Sequence, residues 1–134
     1  MYGNSRVLLI DDNESDNEFH KIMLRRAGFT GDIVFYESAI NALRDLRGYI
    51  GRPSRTLLLL DINMPGMNGF EFVEQATSLL TASESIVVVM LSSSAADTDI
   101  QRAKNFAVIR DYIVKPLVKE SARALLQKYL VEDA

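Results

Sequence analysis

Cysteine is absent from the 134 residues, so neither a disulfide framework nor thiolate chemistry is available, and a reducing compartment suits the chain. No apolar run approaches the roughly 20 residues needed to cross a bilayer. The first five residues carry no apolar signal segment. Basic runs are missing too, and the net charge is −3, which points away from a nucleic-acid surface. There is no internal repeat and no low-complexity linker. These absences lead us to expect one cytoplasmic domain over residues 1–134, with no attached output domain, no membrane partner and no nucleic-acid partner.

What is present is the balance of a globular protein, with 48% apolar and 25% charged residues. A chain of this length can bury a core without covalent help. Short apolar, β-branched runs fall at residues 7–10, 33–36, 57–60, 86–91 and 112–114. They lack polar alternation, as strands of a parallel sheet buried on both faces do. Helical patterns lie between them. Phe19, Ile22, Met23 and Ala27 form one stripe, with Ser15 and Glu18 spaced as a capping box. Ala39, Ala42, Leu43, Leu46 and Ile50 form a second, with Ser38 as N-cap and Gly51 and Pro53 beyond its end. Phe72, Val73, Ala76, Leu79 and Leu80 form a third. A weaker fourth runs through Ala96, Ile100, Ala103 and Ala107, and a fifth through Val118, Ala122, Leu125, Leu126 and Tyr129, reaching almost to Ala134. Five β-α units predict an α/β domain with right-handed crossovers and helices on both faces of the sheet.

Polar residues interrupt the apolar runs at informative places. The first strand ends in Asp11-Asp12, the third in Asp61, the fourth in Ser92 and the fifth in Lys115. In an open parallel sheet all strand C-termini share one rim, where ligands bind, so these residues should converge. Three clustered carboxylates repel one another unless a cation joins them. Hard oxygen donors with an incomplete shell favour Mg²⁺. A carboxylate beside that ion can act as a nucleophile toward phosphorus, giving an aspartyl phosphate. Lys115 would neutralise charge on the transferring group and Ser92 would donate a hydrogen bond to it.

Those residues carry a resemblance. Asp11-Asp12, the stretch Asp61-Ile62-Asn63-Met64-Pro65-Gly66-Met67-Asn68-Gly69, Leu91-Ser92 and Tyr112-Ile113-Val114-Lys115-Pro116 together resemble the response-regulator receiver family, in order and in spacing, over nearly the whole chain. Residues 8–16 and Arg102-Ala103-Lys104 are similar to single-domain regulators of the CheY-like and phytochrome-response-regulator-like subgroup. The resemblance implies a flavodoxin-like (βα)5 fold with a doubly wound sheet of strand order 2-1-3-4-5. It implies a phosphorelay role with Asp61 as phosphoacceptor. Asp12 would be a direct Mg²⁺ ligand, Asp11 would hold a metal-bound water, and the backbone carbonyl of Asn63 would complete the protein's share. Lys115 would pair with Asp61 through a cis Lys-Pro segment. Ser92 would be the switch hydroxyl and Tyr112 the aromatic that follows it. The partners implied are a sensor histidine kinase or phosphotransfer protein and a downstream protein target, with a monomer or a phosphorylation-dependent homodimer. Catalysis would be confined to the chain's own phosphorylation and slow dephosphorylation.

Each residue also has a plainer reading. Met64-Pro65-Gly66 is a turn in any case, and Ser93 and Ser94 suit helix capping as well as function. Tyr112 suits a wedge under a helix. His20, the sole histidine, reads as a surface or helix-flank residue, and the methionines as packing. An Asp-nucleophile phosphatase would need a second acid near Asp61 and a cap over its substrate; Asn63 stands nearby and no insertion is large enough for a cap. A scaffold that never uses Asp61 would have no need for the acid, hydroxyl and lysine set. Three features depart from the family pattern. Ser stands at 92 where Thr is commoner, Ser93 replaces a small apolar residue, and residues 106–111 replace a Gly-Ala pair before the last strand.

Overall fold

The computed structural model describes residues 2, 4–51 and 54–131. The elements alternate without exception: β1 (Arg6–Ile10), α1 (Glu14–Arg26), β2 (Asp32–Tyr36), α2 (Ala39–Asp45) with a 3-10 turn (Leu46–Tyr49), β3 (Thr56–Leu60), α3 (Gly69–Ala82), β4 (Ile86–Ser92), α4 (Asp97–Lys104), β5 (Ile109–Val114) and α5 (Lys119–Tyr129). The strands form one parallel sheet in the order β2-β1-β3-β4-β5, the order expected. Pro53, and any helix beyond residue 131, lie outside the described residues.

Period-two alternation splits the strand side chains between two cores. Leu8, Ile10, Leu58, Leu60, Val88 and Met90 pack with Ala39 and Ala42 of α2, Phe72, Val73 and Ala76 of α3 and Ala103 of α4. Val7, Leu9, Leu57, Leu59, Val87, Val89 and Leu91 pack on the other face with Leu24 of α1, the C-cap Ala27 that follows it, and Ala122, Leu125 and Leu126 of α5. All residues of β1, β3 and β4 are buried, whereas the edge strands β2 and β5 are only partly covered. The apolar runs therefore mark the three central strands most clearly.

Several local expectations need correction. Helix α1 starts earlier than the Ser15–Glu18 spacing implies: Asn13 is the N-cap, and its Oδ1 accepts from the Asp16 amide at 3.0 Å. Its buried face keeps Met23 and Ala27 of the expected stripe but differs in the first two turns. Phe19 and Ile22 are 40% and 47% exposed, while Asn17 and His20 are 1% and 2% exposed. His20 is thus not a surface residue. The N-terminal half of α1 lies over the polar rim of the sheet, where Asn17 Nδ2 donates to the Asp11 carbonyl at 2.9 Å, so polar residues occupy its inner face. Helix α4 ends at Lys104, and Ala107 is exposed beyond it. Strand β5 begins at Ile109, with a bulge where Val88 pairs with Ile109 but Val89 with Asp111. The bulge restores a register that sets Tyr112 opposite Met90 and Val114 opposite Ser92.

Candidate functional site

The sheet ladder continues one residue past the strands, and this fixes the site's backbone. Asp11 N–H donates to the Tyr36 carbonyl at 2.9 Å, Asp61 N–H to the Ile10 carbonyl at 2.9 Å and Lys115 N–H to the Ser92 carbonyl at 2.8 Å. Each side chain then projects from the sheet's C-terminal rim. Asp11, Asp12 and Asp61 each offer one carboxylate oxygen, and these atoms lie within 4.8 Å of one another. Asp11 and Asp61 are buried and Asp12 is exposed.

Lys115 reaches into this cluster from β5. Its Nζ lies 2.6 Å from Asp11 Oδ2, 3.0 Å from Asp16 Oδ2 and 3.6 Å from Asp61 Oδ1. The bond between Lys115 and Pro116 is cis. Asn63 is exposed in the loop after β3, where Gly66 takes a positive φ of 83° to turn the chain and buried Met64 anchors it to the core. Gly69 then opens α3, its N–H donating to the Ile62 carbonyl at 2.8 Å, with Asn68 and Glu71 forming a reciprocal capping box.

Ser92 is fully buried at the end of β4, and its Oγ accepts from the Ser94 amide at 3.1 Å. Ser94 is a junction. Its Oγ donates to Asp99 of α4 at 2.6 Å, and its carbonyl accepts from the Tyr112 hydroxyl at 2.7 Å. Tyr112 is also partly buried against the core cluster that holds residues of α3 and α4, in keeping with its plainer reading as a packing residue.

Sequence reasoning missed three residues that surround these groups: Asp16, Asn17 and His20. The missed signal is Asn13 as N-cap, because counting a helix from Glu14 turns positions 17, 20 and 24 inward.

Desolvation and the neighbouring Asp11 and Asp12 charges push Asp61 up from 3.8 to about 6, against the opposing pull of Lys115 and the Ile62 amide. Burial disfavours the Lys115 charge, but hydrogen bonds to Asp11 and Asp16 and the Asp61 charge outweigh it and hold the ammonium above its ordinary range. Burial and the Lys115 charge lower the His20 pKa, against the opposing effect of Asp16 and Asp11. One consequence can be measured. Between about pH 4 and 6, folded Asp61 keeps a proton that the unfolded chain has released. Stability contributed by this group is therefore present at low pH and falls as pH rises through that window. Urea midpoints in chelator should show this slope for the native chain and lose it in Asp61→Asn.

The chain matches the response regulator receiver domain family over residues 7–127. It is a receiver domain. Among curated relatives, it is 32% identical over 127 residues to the probable methanogenesis regulatory protein FilR2 of Methanothrix harundinacea, covering 91% of this chain and 79% of that one. It is 34% identical over 112 residues to the DNA-binding response regulator MtrA of Mycolicibacterium paratuberculosis, covering 83% of this chain but only 44% of MtrA. The crystal structure of a response regulator receiver protein from Dyadobacter fermentans superposes with a TM-score of 0.83 at 29% identity, covering 96% of this chain and 99% of that one. A two component response regulator from Cytophaga hutchinsonii gives 0.82 at 28% identity, covering 96% and 98%. Membership places this receiver domain in two-component signalling, in a family of switches that work with histidine kinases and downstream targets. Its acidic triad is compatible with Mg²⁺. Among the described residues no helix is long and apolar enough to cross a membrane.

Proposed function

We propose that this receiver domain accepts a phosphoryl group on Asp61 from a phosphohistidine of a sensor kinase or phosphotransfer protein, and that the resulting charge switches binding to a downstream protein. One observation carries the reading: a buried carboxylate, Asp61, stands beside two further carboxylates and one ammonium at the sheet's C-terminal rim. In the step itself an Asp61 oxygen attacks phosphorus, the P–N bond breaks, and its electron pair stays with the departing imidazole. Lys115 meets the charge on the phosphoryl oxygens, and the Ser92 hydroxyl donates a hydrogen bond to one of them. Asp11, Asp12, Asp61 and the Asn63 carbonyl would hold Mg²⁺, which supplies charge neutralisation when bound.

The relay outward follows from the hydrogen bonds around Ser94. Ser92 Oγ accepts from the Ser94 amide, which leaves its own proton to turn toward a phosphoryl oxygen. That rotation pulls on Ser94, and Ser94 holds both Asp99 of α4 and the Tyr112 ring of β5. A local charge of about −1.5 to −2 is thereby converted into movement of the α4 and β5 surface. Serine in place of threonine leaves this hydroxyl freer to sample both positions before phosphorylation, so phosphorylation biases an existing equilibrium. The domain performs no turnover beyond its own phosphorylation and slow dephosphorylation.

The test is intact-mass measurement after incubation with acetyl phosphate or phosphoramidate. The chain should gain a single phosphoryl group in Mg²⁺ and none in EDTA, and hydroxylamine should remove it. Uptake that ignored the chelator would refute the ion's place here.

A further inference from the structure

Lys115 has three carboxylates within reach, and the intended phosphoacceptor is the farthest of them. Its Nζ lies at 2.6 Å from Asp11, 3.0 Å from Asp16 and 3.6 Å from Asp61. Asp11 belongs to the acidic cluster and shares its charge with any ion bound there, whereas the cluster comprises Asp11, Asp12 and Asp61 without Asp16. Asp16 is therefore the carboxylate whose hold on the ammonium persists once the ion is in place. It is also well anchored. Its amide is capped by Asn13 Oδ1 at 3.0 Å, and the next residue, Asn17, is 1% exposed and tied to the Asp11 carbonyl at 2.9 Å. The Asp16 side chain is 38% exposed, so solvent weakens its pull without abolishing it.

We propose that Asp16 is a positioning residue that competes with Asp61 for Lys115 and so restrains phosphoryl uptake. A transferring phosphoryl group must draw the ammonium off Asp16 before Lys115 can meet its oxygens. The same carboxylate adds a negative charge facing an anionic donor. Both effects slow the forward step, and neither requires Asp16 to touch the phosphoryl group or the ion. The inference rests on the reading of Asp61 as phosphoacceptor.

Asp16→Asn keeps the shape of the side chain and removes its charge; Asp16→Glu keeps the charge. With saturating Mg²⁺ and phosphoramidate, Asp16→Asn should take up phosphoryl roughly two- to fivefold faster than the native chain, while Asp16→Glu stays within about twofold of it. Beryllofluoride should bind Asp16→Asn more tightly by a similar factor. The ¹⁵Nζ resonance of Lys115 should shift in the ion-free Asp16→Asn protein, a readout that needs no phosphorylation. Native labelling at Asp61 with an Asp16→Asn rate equal to or below the native rate would overturn the restraint and leave the phosphoacceptor reading intact. A loss of about tenfold in Mg²⁺ affinity in Asp16→Asn would make Asp16 part of the ion's site and overturn the inference as well. A native chain that took no phosphoryl group at Asp61 would sink the underlying reading itself.

Discussion

Asp61→Asn is expected to abolish phosphoryl uptake and, in the same protein, to raise the stability of the ion-free fold. The first effect follows from removing the oxygen nucleophile: no other carboxylate in the cluster is both buried and free of a hydrogen bond closer than 3 Å to Lys115, since Asp12 is exposed and Asp11 is bound at 2.6 Å. The second follows from electrostatics. Ionised Asp61 is buried beside Asp11 and Asp12, which is why its pKa rises to about 6. A shift of two units corresponds to about 3 kcal/mol, and solvent at the rim reduces this to about 1–2 kcal/mol near pH 8. Intact mass reads the first effect and urea unfolding in EDTA reads the second. Labelling of the variant at the native level would remove Asp61 from its role, and an unchanged urea midpoint would show that the cluster imposes no electrostatic cost.

Gly69→Ala is expected to damage both the fold and the site it supports. A Cβ at this position would lie 2.3 Å from the Asp61 carbonyl oxygen and 3.1 Å from Ile62 Cα. Both neighbours are backbone, so no side chain can swing aside. The first turn of α3 must separate from the end of β3, breaking the Gly69 to Ile62 hydrogen bond and displacing Asp61. The expected loss is about 2–4 kcal/mol. Phosphoryl uptake should fall by roughly tenfold or more, because small misplacements of a nucleophile are costly. Gly48→Ala is the control: a Cβ there meets nothing within 4 Å, and the change should stay within about 0.5 kcal/mol. Native-like stability and labelling in Gly69→Ala would mean that the β3–α3 junction yields more readily than its packing implies.

Much of the architecture was legible in the residue order. Continuous apolar runs located the central strands β1, β3 and β4, because a strand buried on both faces has no polar alternation to obscure it, whereas the run at 112–114 marked only the second half of the partly covered β5. Ser38 was read correctly as the cap of α2, accepting from the Ile40 and Asn41 amides, since a serine before a helical stripe acts through its immediate neighbours. The convergence of Asp11, Asp12, Asp61, Ser92 and Lys115 on one rim also followed from position alone. Parallel topology sends every strand's end to the same side.

Other features were set by contacts between distant segments. The spacing of Phe19, Ile22, Met23 and Ala27 marks an apolar stripe on α1, yet only Met23 and Ala27 of it are buried, and Asn17, His20 and Leu24 complete the packed face. Hydrophobicity alone cannot anticipate that, because the helix begins over a polar rim where a buried amide is satisfied by the Asp11 carbonyl. The β5 bulge depends on how an edge strand meets β4, and its own sequence carries no mark of it. The pairing of Lys115 is the plainest case. The sequence by itself determined that one lysine would stand at the end of β5 among carboxylates. Only the tertiary structure decided that its nearest partners are Asp11 and Asp16, which are 104 and 99 residues away along the chain. Local periodicity orients a side chain within its own element, whereas the division of one ammonium among three carboxylates depends on distances that exist only after β1, α1, β3 and β5 have been brought together.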